Sequence, residues 1–498
     1  MNTDNARINT GKVMEGIRDP ATTGTKFLLP YPCSSVRYPC SSVFQRFTAS
    51  IATIALVASC AVGPNYSKPE VETPVEYKEV GNWVLAKPAD AVPKGKWWEI
   101  FGDPILNDLM EQVSVSNQTL KAAEARYTAA SASVAAARSG LFPTLGVGAD
   151  AGRSRRGSSG TSNAYSVTLN AAWEVDLWGR IRRLIEASSA GAEANAADLA
   201  NARLSLQAQL ATSYFLLRGT DVERELIEDT VKAFETSLKI AQNRYAAGVA
   251  GKVDVVQAES QVKSVQAQAL DLRVSRAQLE HAIAVLVGKP PASLTIEPIA
   301  FKVKIPEVPP GVPSTLLERR PDVAAAERRM AAANAQIGVA QAAWFPALSL
   351  SGSGGFAGSS LTNLFTAPNQ IWSLGLGLAG TLLDFGARGA QVDIARASYD
   401  EAVANYRQTV LGAFQEVEDA LASLHWLAEE HVVQAEAARL ARESVVLTMN
   451  QYKAGTVGYL NVALVQASQL NQERSTIQVV ERRVVATIVL VRALGGSF

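Results

Sequence analysis

Apolar positions along this chain recur with two distinct periods. Ile227, Val231, Phe234, Leu238, Ala241 and Tyr245 step by alternate fours and threes. Val255, Ala258, Val262, Val265, Ala269, Leu272, Arg276, Leu279, Ile283 and Leu286 keep the same rhythm. Phe414, Val417, Leu421, Leu424, Ala428, His431, Ala435 and Ala438 repeat it with the phase shifted. A 3.5-residue period predicts helices packed along coiled-coil seams. Proline supports this reading, because none of the 21 prolines falls in 144–289 or 369–498, and proline in a helix interior costs about 3 kcal/mol. Residues 181–247 are therefore expected to form one helix of about 100 Å, at 1.5 Å per residue.

Elsewhere the period falls to two. Val167, Leu169, Ala171, Trp173 and Val175 alternate with Ser166, Thr168, Asn170, Ala172 and Glu174. Trp372, Leu374, Leu376 and Leu378 alternate with Ser373, Gly375 and Gly377, and Leu348 and Leu350 alternate with serines. Residues 144–152 give a weaker fourth strand. Each strand has one apolar and one polar face and about 9 to 12 residues, the length of a tilted membrane strand. Four strands cannot close a barrel, since small barrels need about eight. An open sheet edge in lipid leaves backbone groups unsatisfied, each costing several kcal/mol. Strands that cross a bilayer here must share one barrel among several chains; the alternative is a helical protein carrying two hairpins on its surface.

The pattern also repeats. At an offset of 203, Glu124 meets Glu327 and Phe142-Pro143 meets Phe345-Pro346. At 207, Tyr245, Gly248, Gly251 and Gly288 meet Tyr452, Gly455, Gly458 and Gly495. Each half reads as helix, two strands, long helix, glycine turn and return helix. The expected organisation is a leader and signal peptide over 1–59, an extended segment over 60–103, a first repeat over 104–298, a Pro-rich linker over 299–318 and a second repeat over 319–498. Asp103-Pro104 starts the first repeat as a helix cap followed by proline at the first helical position.

Composition narrows the chemistry. Lys plus Arg and Asp plus Glu are 47 each, so the net charge is zero, which disfavours nucleic acid as a partner. Three Cys and three His disfavour a disulfide framework or a metal centre. Asp176 and Asp384 read as turn and cap residues rather than an active-site carboxylate pair. His425 and His431 are six apart and do not share a helix face. Arg153, Arg155 and Arg156 are expected in an external loop facing anionic headgroups. Trp173, Trp178, Trp344 and Trp372 are expected as membrane-interface anchors, and Trp97 and Trp98 as core anchors of the extended segment. No nucleophile, base and orienting group cluster, so an enzyme is not expected.

The apolar run over 47–62 is too short to span a membrane and fits a signal-peptide core. It ends Val57-Ala58-Ser59-Cys60, which resembles a bacterial lipobox, with Cys60 as the lipid-attachment residue. That resemblance implies a covalent diacylglycerol and N-acyl (palmitate) lipid as the one modification, no other cofactor, and, with Ala61 following, sorting to the outer membrane. The duplicated YPCSSV over 31–36 and 38–43 lies upstream of the core, and a translation start near Val43 is expected.

Beyond these patterns, WWEIFGDPILNDLM over 97–110, ERRPDVAAAERRMAAANAQIGVAQAAWFPALSL over 318–350, the paired EVDLWGRIRR and LLDFGARG, and the paired RYAAGVAGKVDVVQAE and QYKAGTVGYLNVALVQA resemble the TolC/OprM-like outer-membrane efflux lipoproteins, the NodT family. The resemblance covers roughly residues 60–498. It implies a mixed, mainly α fold: a homotrimer sharing a twelve-stranded β-barrel, above a periplasmic barrel of twelve coiled-coil helices. It further implies a periplasmic adaptor (membrane fusion protein) and an inner-membrane RND-type pump as partners, and a function as the exit duct of a tripartite efflux system for drugs or toxic compounds. Type I protein secretion and a pore-free lipoprotein scaffold stand as alternatives. The turns Gly248-Val249-Ala250-Gly251 and Gly455-Thr456-Val457-Gly458 are the expected adaptor-docking tips. Related channels often carry an acidic ring one turn past the tip leucine. Here that place is Leu464, with Gln257 as its first-half counterpart, so an apolar constriction at Leu460 is expected instead.

Overall fold

The computed structural model describes residues 61–69, 77–78, 95–155, 157, 160–299, 305–306 and 319–496. Cys60, Trp83 and Arg156, and the leader and most of the linker, lie outside them. A 3-10 turn over Trp97–Phe101 precedes α1 (Pro104–Ser116), α2 (Gln118–Ser139), β1 (Thr144–Arg155), β2 (Thr161–Val175), α3 (Arg180–Ala246) and α4 (Lys252–Leu286). The second half follows as α5 (Pro321–Ala342), β3 (Ala347–Gly358), β4 (Gln370–Ala379), α6 (Ala387–Ala454) and α7 (Tyr459–Ala493).

The duplication is visible in the lengths. α2 and α5 both have 22 residues, α3 and α6 have 67 and 68, and α4 and α7 both have 35. The 67-residue α3 differs from the expected 181–247 by one residue at each end. Asp103 caps α1 by accepting from the Ile105 and Leu106 amides at 2.8 and 3.2 Å. Asp176 accepts from the Ile181 and Arg182 amides and Asp384 from those of Gly386 and Arg388, so both carboxylates serve helix starts.

The long helices pack by the predicted seams. Ile227 and Phe234 of α3 meet Val262, Val265 and Leu272 of α4 in one buried cluster. In α6 the seam drifts after Leu424, with Leu427 buried and Ala435 exposed, before Ala438 returns to a buried position. The drift is what a helix of 3.6 residues per turn does to a 3.5-residue pattern. The main core gathers α1, α3, α5, α6 and α7 around Leu210, Tyr214, Leu217, Val417 and Leu421, with Trp97 and Trp98 buried in it as expected.

The sheet order is β1-β2-β3-β4, antiparallel throughout. Directly opposed residues share a face. Leu145 opposes Ala171, Val147 opposes Leu169, Trp173 opposes Leu350, and Leu350 opposes Leu376. All four strands thus place their large apolar side chains on one face, Ile371 at the start of β4 excepted. The other carries Asp150, Ser166, Thr168, Asn170, Ser351, Ser353 and Ser373, with a Ser353–Ser373 hydroxyl contact of 2.8 Å. Arg153 and Arg155 are a correction: they belong to β1, opposite Asn163 and Thr161, on the apolar side's register at its far end. Backbone pairing with β2 extends the strand past the point where alternation is readable.

Candidate functional site: sheet faces, hairpin tips and strap

Among the described residues nothing covers the apolar face of the sheet. Val147 and Leu374 are 79% and 81% exposed. A water-facing surface of this composition would be an aggregation site; a lipid-facing one is what a membrane strand requires. Trp173 and Trp178 lie where the sheet meets the helices, donating to the Leu141 and Pro346 carbonyls at 3.1 and 2.8 Å. Trp178 stacks on Phe345, and the Arg388 guanidinium lies over the Trp344 ring. Trp372 stands exposed near the far end of β4. Indole rings therefore occur toward both ends of the apolar band. Among the described residues, no helix is long and apolar enough to cross a membrane.

At the opposite end of the long helices, two hairpin tips stand side by side. Gly248 and Gly455 have φ of 72° and 80°, the left-handed conformation that ends a helix without a Cβ penalty. Gly251 and Gly458 differ from this: their φ are −80° and −79°, and they act as extended caps of α4 and α7. Val249 points outward, 62% exposed, whereas Val457 packs partly inward against the neighbouring cluster. The Thr456 hydroxyl donates to the Gln451 carbonyl at 3.0 Å. Leu460 opens α7 on an exposed face, with Leu464 exposed one turn on.

A polar link that no local pattern announces ties the two tips. Arg244 of α3 donates to the Lys453 carbonyl at 2.9 Å and lies 4.9 Å from the centre of the Tyr452 ring. The Tyr452 hydroxyl reaches Asp254 of α4 at 3.4 Å. Burial, then the Asp254 charge, raises the Tyr452 pKa and keeps its hydroxyl a donor. Tyr452 and Tyr459 meet edge to face at 5.5 Å and are both buried, while Tyr245, the duplicate of Tyr452, is exposed. Further up, Gln261 donates to the Ala463 carbonyl and Gln466 to the Ser237 hydroxyl. The α3–α4 and α6–α7 hairpins are thus fastened along one line.

The third feature is the strap. The Val62 amide donates to the Trp178 carbonyl at 3.0 Å. Arg183 donates to the Val62 and Gly63 carbonyls and to Asn65. Asn334 holds the Pro64 carbonyl, and Tyr66 donates to Glu327. A methyl on Gly63 would lie 2.4 Å from the Gly338 Cα, so backbone meets backbone there. Of the duplicates α2 and α5 the strap binds α5, through Glu327, Asn334 and Gly338, while Glu124 of α2, the duplicate of Glu327, is exposed.

Residues 109–289 and 312–496 match the outer membrane efflux protein family. The chain belongs to that family. Like other outer membrane efflux proteins it is a channel of the outer membrane and not an enzyme. The solvent efflux pump outer membrane protein SrpC of Pseudomonas putida is 30% identical over 458 residues, 89% of this chain and 97% of that protein. Nodulation protein T of Rhizobium leguminosarum bv. trifolii is 30% identical over 467 residues, 91% of this chain and 98% of that one. The structure of the outer-membrane channel OprN superposes with a TM-score of 0.82 at 31% identity, covering 88% of this chain and 99% of that chain. Against this efflux-protein background, the sheet is the membrane part and the long helices are the part below it.

Proposed function

We propose that three copies of this chain close one duct across the periplasm and outer membrane, and that the duct is the exit of a tripartite efflux system. The carrying observation is the sheet: among the described residues it has four strands, two open edges and an apolar face with nothing over it. Pseudo-symmetry supports the closure. Within the chain α5 packs on both α3 and α6, while its duplicate α2 packs along α3. The vacant side of α2 has the place that α6 of a neighbouring copy would fill. Likewise β4 would pair with the next β1 as β2 pairs with β3. Twelve strands result, enough for a closed barrel with a water-filled interior, and the polar face of Ser, Thr and Asn supplies its lining.

Energy enters elsewhere, through an inner-membrane RND-type pump, and a periplasmic adaptor docks on the tips at Gly248, Val249, Gly251, Gly455, Thr456, Val457 and Gly458. Exposed Val249 on a left-handed glycine turn suits such a contact. Leu460 narrows the duct at the tip. Cys60 carries the lipid: the strap holds Ala61 against Gly179, where the sheet ends and α3 begins, the level of the inner leaflet. The names of the relatives support small toxic compounds as cargo.

Reconstitution in planar bilayers tests the proposal. Stepwise conductance is expected, and Leu460→Ser should raise it. A protein that inserts without conductance steps is a scaffold, and the proposal fails. Replacing Cys60 with Ser should abolish palmitate labelling while leaving the conductance steps in place.

A further inference from the structure

On the face of the helical layer that carries Thr212, Leu216 and Trp426, bordering the main core at Ala420 and Ala486, α3, α6 and α7 frame a groove of about 1060 Å³. Thr212 and Leu216 line it, on the side of α3 opposite Leu210, Tyr214 and Leu217. Trp426 of α6 stands in it 59% exposed, and Val485 and Val489 of α7 complete an apolar floor. Glu481 projects into this groove from α7. Among the described residues no hydrogen bond or ion pair reaches its carboxylate. It lies against bare backbone: a methyl on Gly219, inside α3, would fall 1.6 Å from the Glu481 carboxylate oxygen. A helix-weakening glycine at this point makes the room that the carboxylate occupies. The amides of α3 are spent on its own helix, so the backbone offers the carboxylate no donor.

We propose that this groove is a binding site for a lipophilic organic cation, with Glu481 as its counter-ion. The nearby protein cations are already engaged. From α7, Arg474 is paired with Glu223 of α3, and Arg482 with Glu430 of α6 at 2.6 Å. Asp419, the remaining charged group on the α6 side, accepts from Gln415. With Glu223, Glu430 and Asp419 against Arg474 and Arg482, the charges around Glu481 leave the groove acidic. Burial, and next the Glu223 charge, push the Glu481 carboxyl up to about 7. An arriving cation relieves both effects by taking the place of the missing partner. The volume suits a ligand of several rings, and the Trp426 face offers a cation–π contact. The inference rests on the channel reading only for direction, since a closed ring of helices turns this face toward the duct.

The test is equilibrium dialysis of tetraphenylphosphonium against the purified full chain, with neutral triphenylphosphine oxide as the charge control. Saturable tetraphenylphosphonium binding at about pH 8 is expected, weakening about tenfold near pH 6 as Glu481 takes up its proton. Glu481→Gln, close to isosteric, should weaken binding about tenfold at the higher pH and remove the pH dependence. Trp426→Phe should bind nearly as wild type and Trp426→Ala several-fold more weakly. Triphenylphosphine oxide should show no response to Glu481→Gln. Equal tetraphenylphosphonium affinity in wild type and Glu481→Gln, or no saturable binding at all, overturns the proposal. Conductance steps recorded on the same preparations separate that outcome from failure of the channel reading.

Discussion

An arginine placed on either face of β4 reads out which side meets lipid. Leu374 sits at the middle of β4, on the apolar face, opposite Gly352 of β3 and beside Trp372 and Leu376. Ser373, the adjacent residue, points to the other face and touches Ser353. Arginine on the lipid face of a barrel strand near the bilayer midplane costs about 2–4 kcal/mol. Three copies would multiply this to about 6–12 kcal/mol per assembled barrel, comparable to the whole stability of an ordinary domain, about 5–15 kcal/mol. Leu374→Arg should therefore abolish the assembled form in outer-membrane fractions, scored as the oligomer band on unheated gels. Ser373→Arg carries its charge into water and should assemble, with conductance and cation preference both reduced. Normal assembly of Leu374→Arg together with failure of Ser373→Arg would invert the faces and refute the reasoning.

Arg244→Ala removes a charged hydrogen bond and a ring contact between the tips; a loss of about 1–2 kcal/mol shifts the closed-to-open ratio about 5- to 30-fold per chain. Larger single-channel conductance is expected, and an unchanged trace in a folded channel would remove the link from gating. Gly338→Ala drives a methyl to 2.9 Å from the Val62 carbonyl oxygen, so the strap should lift and become sensitive to limited proteolysis near residue 62. Glu481 titrates near 7 in the folded protein against an ordinary 4.5, so the native state binds its proton more tightly than the unfolded chain. Its ionisation then lowers stability progressively from about pH 4.5 to about pH 7, and the loss is complete above. Glu481→Gln should be more stable than wild type in alkaline buffer by about 1–3 kcal/mol per chain and match it near pH 4; an equal difference at both pH values would contradict this.

Much of the architecture is written in local pattern. Two proline-free stretches and the heptads of Val262, Val265 and Leu272 announced the long helices, and α3 runs to within a residue of its expected ends. Alternation over 167–175 and 372–378 announced β2 and β4, and the matched glycines announced the duplication. Elsewhere the pattern is faint. β1 carries Gly146, Gly148 and Gly152, so its alternation has little amplitude and its arginine-bearing end reads as loop. The tip link joins Arg244, Tyr452 and Asp254 across about two hundred residues, and no period encodes such a contact. Nor could duplication signal it, because the two copies diverge there: Tyr452 is buried and Tyr245 is not. Gly219 and Glu481 were unreadable for the same reason, since each has meaning only against the other.

The shared barrel stands or falls on the number of chains around the duct. Native mass spectrometry of the protein released directly from membranes counts them. Three copies with bound lipid are predicted, dissociating only when the barrel is lost. A single chain released intact from the membrane would contradict the shared barrel and everything built on it.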